Sequence, residues 1–285
     1  MKIIPKVNSK ISTTRLYSIP ENIQKNEIIK KISVFSGDAI GFPIYMFQYI
    51  FTNLHYGKSI HVPNIFFFEV LLGYVTYGTD RLIDAYAYKK DPTIEIRENK
   101  RELYENILAN ENVVMITLLV SYMLCIQWLS QDRSTAPFSV LLLFNAFYKQ
   151  LKPKLGALKP VFIGAMWVIA SIILPSVAYS HNYDILQDPV TYIPPMLTIM
   201  GSSNIADIKD IDEDKEQHIN TIPVILGEEY SHYFTVVVMF LSTIIHLNHP
   251  NYDFHSIPDV LFDLNNLGII VGEFFKIKKI NDKIQ

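Results

Sequence analysis

One cysteine occurs in 285 residues, Cys125, so an intrachain disulfide framework is excluded. It lies inside an apolar run and reads as a small packing hydrophobe. Glycine is scarce as well, at 11 residues, and no low-complexity segment or internal repeat occurs. No shift in composition marks a second domain. The formal net charge of −3 says little about partners, and no nucleic acid is expected. A strong secretory signal is missing too, because the first long apolar run starts only after a basic leader.

Charge is missing over whole stretches of the chain. Residues 113–129 and 160–179 hold no acid, lysine or arginine. Each is about 17–20 residues long, roughly what a helix needs to cross a hydrocarbon core about 30 Å thick. The 49% hydrophobic content is thus concentrated in runs. The fold class expected is all-α, a polytopic membrane bundle of about eight spans. These fall at 34–53, 62–84, 112–130, 135–149, 160–180, 189–207, 231–247 and 257–275. The fourth is short. Asp259, Asp263 and Glu273 interrupt the eighth, which is also compatible with a helix lying along the interface.

The positive-inside rule supplies an independent check. With eight crossings, Lys89, Lys90, Arg97, Lys100 and Arg101 share one side with both termini. Lys149, Lys152, Lys154, Lys159, Lys209 and Lys215 fall there too, as do the basic residues of the leader and tail. The opposite side keeps Lys58 and Arg133. The chain divides into a basic leader at 1–33, a transmembrane domain at 34–275 and a basic tail at 276–285. The first twenty residues carry no acid and resemble an organelle transit peptide, or form a solvated tail.

Two acidic clusters sit at predicted helix ends on the basic side. Asp80 and Asp84, four apart, share one helix face. Asp207, Asp210 and Asp214 follow at i, i+3 and i+7, a continuous helical stripe, with Asp212 and Glu213 pointing elsewhere. Two like charges about 6 Å apart repel by about 3 kcal/mol at an effective dielectric near 20. Such a stripe either faces water or holds cations, and hard oxygen ligands suit Mg²⁺ with a phosphate substrate. Tyr148 and Lys152, also four apart on that side, offer a phenol and an ammonium to phosphate oxygens. A basic loop meeting lipid headgroups is the plainer reading of that pair.

Asp207-x-x-Asp210-x-x-x-Asp214-Lys215, followed by Asn220-Thr221-Ile222-Pro223-Val224-Ile225-Leu226-Gly227, resembles the second aspartate motif of the UbiA superfamily of intramembrane prenyltransferases. Asp80-x-x-x-Asp84 is similar to the end of that family's first motif, and Tyr148-x-x-x-Lys152 to its tyrosine–lysine element. The resemblance implies a bundle of nine transmembrane helices around a central cavity. It further implies Mg²⁺-dependent transfer of an isoprenyl group from a prenyl diphosphate to an aromatic or lipid acceptor within a membrane, which the transit-like leader would make a plastid or mitochondrial one. By that resemblance Asp80, Asp84, Asp207, Asp210 and Asp214 hold metal, and Tyr148, Lys152 and Lys215 bind substrate. The chain departs from the pattern at Thr76 and Tyr77, where the family's first motif begins Asn-Asp, and at His218, which replaces a glycine. Eight spans are read here where the resemblance implies nine.

A terpene cyclase on the same scaffold is an alternative, as is a non-catalytic binder of lipid diphosphates or divalent ions. Asp38 and Glu69, acids at membrane depth in the first two spans, either serve the acceptor and its proton or sit neutral inside the bundle.

Overall fold

The computed structural model describes residues 41–58, 60, 62–90 and 98–284, all within one compact unit, Asp38–Gln285. Asp38, the leader and the start of the first expected span lie outside the described residues. The described chain is all helical. The long helices are α1 (Gly41–Tyr56), α2 (Ile65–Lys90), α3 (Glu98–Ala109), α4 (Glu111–Ser130), α5 (Val140–Leu155) and α6 (Lys159–Val168). A π turn at Ile169–Ile173 joins α6 to α7 (Leu174–Ser180). Then come α8 (Pro189–Lys209), α9 (Ile211–Glu216), α10 (Ile222–Leu226), α11 (Glu228–Leu247) and α12 (Ile257–Ile284). A helix occupies each of the eight expected segments. The sequence reading has no counterpart for α3.

Among the described residues, three helical stretches are long and apolar enough to cross a membrane: Glu111–Ser130, Gln150–Ser180 and Glu228–Leu247. The first is apolar all round. Val114, Leu118 and Cys125 face the core, while Ile116, Leu119 and Met123 are each 62% exposed. Large apolar side chains spread around a helix call for hydrocarbon rather than water. Its inner face packs on α2, where Phe68 stacks on Trp128 at 4.3 Å between ring centroids. On the other side of the bundle α1 meets α12, with Phe51 edge-on to Phe262 at 5.0 Å.

Helix α12 explains why 257–275 reads weakly. Its Asp259, Asp263, Asn266 and Glu273 are buried, and its Leu261, Leu264, Leu267, Val271 and Phe274 are exposed. This is an inside-out helix, polar toward its neighbours and apolar outward. Each acid finds a partner on α11. His246 Nδ1 lies 3.0 Å from Asp263 Oδ1 and its Nε2 lies 3.6 Å from Asp259 Oδ1, while His232 pairs with Glu273. The charges therefore pair the two helices instead of interrupting the segment.

Replacing His246 by Phe leaves two buried carboxylates facing each other without their shared partner. The variant should lose about 3–5 kcal/mol, read as a lower unfolding midpoint in detergent. An unchanged midpoint would show that these acids do not depend on the imidazole.

Candidate functional site

Asp80 and Asp84 stand one turn apart on α2, both half-buried. The Tyr104 hydroxyl of α3 points at them and donates a long hydrogen bond, 3.4 Å, to Asp84 Oδ2. Burial, and then the negative charges of Asp84 and Asp80, hold the Tyr104 phenol well above its ordinary range. Glu213, from the second acidic cluster, acts on the same phenol.

In the second cluster the helix is not continuous. Helix α8 ends at Lys209, and Asp210 leaves helical geometry at φ −106° and ψ 15° before α9 begins. The Asp210 carbonyl still accepts from the Asp214 amide at 2.8 Å, so the chain bends without unwinding. Asp207 and Asp214 stay inside, each 1% exposed, whereas Asp210 is half-buried and Asp212, Glu213 and Lys215 are exposed. The expected single stripe is thus two short helical pieces. Asp207 occupies the last turn of α8, where the helix dipole is negative, so a carboxylate there gains nothing from the backbone.

Lysines meet these acids. Lys159, itself 8% exposed at the start of α6, forms an ion pair with Asp207. Lys152 Nζ of α5 lies 3.7 Å from Asp214 Oδ1. Gly156 enables this approach. It takes φ +50° between α5 and α6, and a Cβ there would stand 3.0 Å from the Asn220 carbonyl oxygen. Beyond it, Pro223 opens α10 and Gly227, at φ +83°, closes that helix and begins α11.

Tyr148 joins the clusters. Its hydroxyl lies in the field of Asp80, Asp207, Tyr77 and Asp214, and its ring stacks on Phe162 at 6.3 Å. The structure therefore brings Asp80, Asp84, Tyr148, Lys152, Asp207 and Asp214 to one end of the bundle, with Asp210 at the bend beside them. Lys215 points outward. Two members escape the motif reading. Tyr104 arrives on the unexpected α3, where burial of Tyr104 and Ile107 at helical spacing is the available signal. Lys159 reads in sequence as one more basic loop residue.

The residues fit a divalent cation in kind. Asp207 Oδ2 and both oxygens of Asp214 are buried with no hydrogen bond among the described residues, and hard carboxylate oxygens suit Mg²⁺. Among the described residues, however, no three His, Cys, Asp or Glu side chains converge tightly enough to hold an ion unaided. Water and substrate oxygens would complete such a shell.

Near the cluster, α1, α2, α5 and α6 border a small, partly open pocket lined in part by Ile44, Gly73, Thr76, Tyr77, Trp167 and Ala170. Thr76 lies one turn from Asp80 on α2. The π turn contributes Ala170, and such bulges often re-aim side chains at functional positions. No family model, curated protein or solved structure matches the chain.

Lys159→Met should destabilise the protein by about 3–5 kcal/mol, because Asp207 is left charged and buried, and Asp207→Asn in the same chain should recover most of that loss. Lys152→Met should shift the unfolding midpoint much less, since that lysine is 30% exposed. Equal losses for the two lysines would refute this ranking.

Proposed function

We propose that the chain is a Mg²⁺-dependent intramembrane prenyltransferase of UbiA type, moving an isoprenyl group from its diphosphate to an aromatic or lipid acceptor. The observation that carries this reading is the gathering of carboxylates from two distant segments, with Tyr148 between them and lysines beside them. A bundle of about eight crossings, with this mouth facing cytosol, stroma or matrix, accords with the sorting of basic residues and with the inside-out pattern of α12.

Asp80, Asp84, Asp207, Asp210 and Asp214 are the residues that would hold Mg²⁺. When bound, the ion supplies positive charge to the diphosphate oxygens as negative charge builds on them. Lys152 and the Tyr148 hydroxyl reach the same oxygens as an ammonium and a hydrogen-bond donor. Donors held in place before reaction need no rearrangement as charge develops. The bond between C1 of the isoprenyl group and the bridging oxygen breaks, and its electrons leave with the diphosphate. Ile44, Trp167 and Ala170 would keep water from the allylic cation, and the aromatic rings of Trp167 and Tyr77, which line the pocket, would attract it. The acceptor supplies the electron pair for the new bond and gives up a proton.

The Lys159–Asp207 ion pair favours a second reading, a non-catalytic binder of lipid diphosphates, because a lysine already neutralises one candidate ligand. Purified protein with Mg²⁺ and geranylgeranyl diphosphate discriminates the two. Release of inorganic diphosphate with an acceptor panel, reduced at least about 10²-fold in Asp80→Asn and in Asp210→Asn, supports the transferase. Turnover indifferent to both substitutions removes the metal site, and no turnover at all favours the binder. A cyclic hydrocarbon formed without acceptor identifies a cyclase instead.

A further inference from the structure

The face of α2 that carries Asp80 continues into the bundle. Glu69, Gly73, Thr76 and Asp80 recur at helical spacing, and Glu69 lies one turn beyond Gly73, about 16 Å from Asp80 along the axis. Helix α1 follows the same plan. It packs against α2 and joins it through a short connection, so the two run antiparallel. From the pocket residue Ile44, one turn away from the carboxylates leads to Gln48. Gln48 is 3% exposed and Glu69 0%. Gln48 Oε1 and both Glu69 carboxyl oxygens have no hydrogen bond among the described residues. Buried oxygens without partners are costly and rare, and here they come from two neighbouring helices, each one turn from a residue that lines the pocket.

We propose that Gln48 and Glu69 form the polar floor of this pocket and bind a hydroxyl group of the acceptor, at the end away from the alkylated atom. The inference rests on the prenyl-transfer reading above. A hydroxyl suits the floor because it brings both a proton and lone pairs. Its proton goes to Gln48 Oε1, and its oxygen accepts from Glu69 when that carboxyl carries a proton. Asp80 and Glu69 stand about 16 Å apart along the axis, so a diphosphate held at one and a hydroxyl held at the other suit a small aromatic acceptor of one or two rings. An acceptor apolar at that end leaves the oxygens unpaired and is rejected for that reason.

The test uses 1-naphthol and 1-methoxynaphthalene, an aromatic hydroxyl and its methyl ether, titrated calorimetrically into the full chain in detergent. Wild type should prefer the naphthol about tenfold, and Glu69→Leu or Gln48→Leu should bring the ratio to about 1. Glu69→Gln keeps a donor and the side-chain shape, and should retain most of the preference. A ratio near 1 in wild type, or one unchanged in the leucine variants, overturns the proposal; water alone satisfying the floor gives that result. Asp80→Asn should leave the ratio intact. A wild type that shows the preference but transfers no prenyl group therefore counts against the transferase reading and not against the floor.

Discussion

Carboxylates held in a dry helical bundle demand positive charge, and much of this molecule follows from meeting that demand. Two acids stand on α2 and two more lie buried about the bend after α8, one of them at the negative end of a helix dipole. In water the repulsion would be screened. For the two buried acids at the end of an apolar bundle it is not, so each of them must be paired, protonated or bound to a cation. Lys159 and Lys152 meet part of the demand. The oxygens of Asp207 and Asp214 left without hydrogen bonds mark the part that a ligand would meet.

The same rule shapes the rest of the bundle. Helix α12 turns its acids toward His246 and His232 and its leucines outward, which stabilises the pairing with α11 while leaving an apolar exterior. Glu69 is the buried acid without an ion-pair partner among the described residues, and the side-chain oxygens of Glu69 and Gln48 Oε1 have no hydrogen bond there. Polar groups kept unpaired inside a bundle are expensive to fold around, and function is the ordinary reason to retain them.

Helices and acidic clusters are legible in the sequence because their signals are local. Runs without charge announce long helices, and carboxylates four apart announce a shared face. The bend at Asp210 is not legible, because i, i+3, i+7 spacing fits an unbroken helix equally well. The structure ends α8 there and folds the following segment back, with the Ile219 amide on the Asp214 carbonyl at 2.8 Å. Tyr104 is hidden for a similar reason. Helix α3 is polar enough to pass for a loop, and the value of its tyrosine depends on contact with Asp84, 20 residues away. The weak signal at 257–275 has another cause: hydropathy counts the acids of α12 against an apolar segment, whereas the fold buries them against histidines.

The central claim is that the α2 carboxylates and those following α8 act on one shared set of cations. Mn²⁺ binding in the presence of inorganic diphosphate, followed by electron paramagnetic resonance, tests it most directly in Asp80→Asn, Asp214→Asn and the double variant. The account predicts that either substitution alone weakens binding nearly as much as both together, the non-additivity of groups on one site. Independent, additive losses, or Mn²⁺ binding that ignores Asp80, would contradict it.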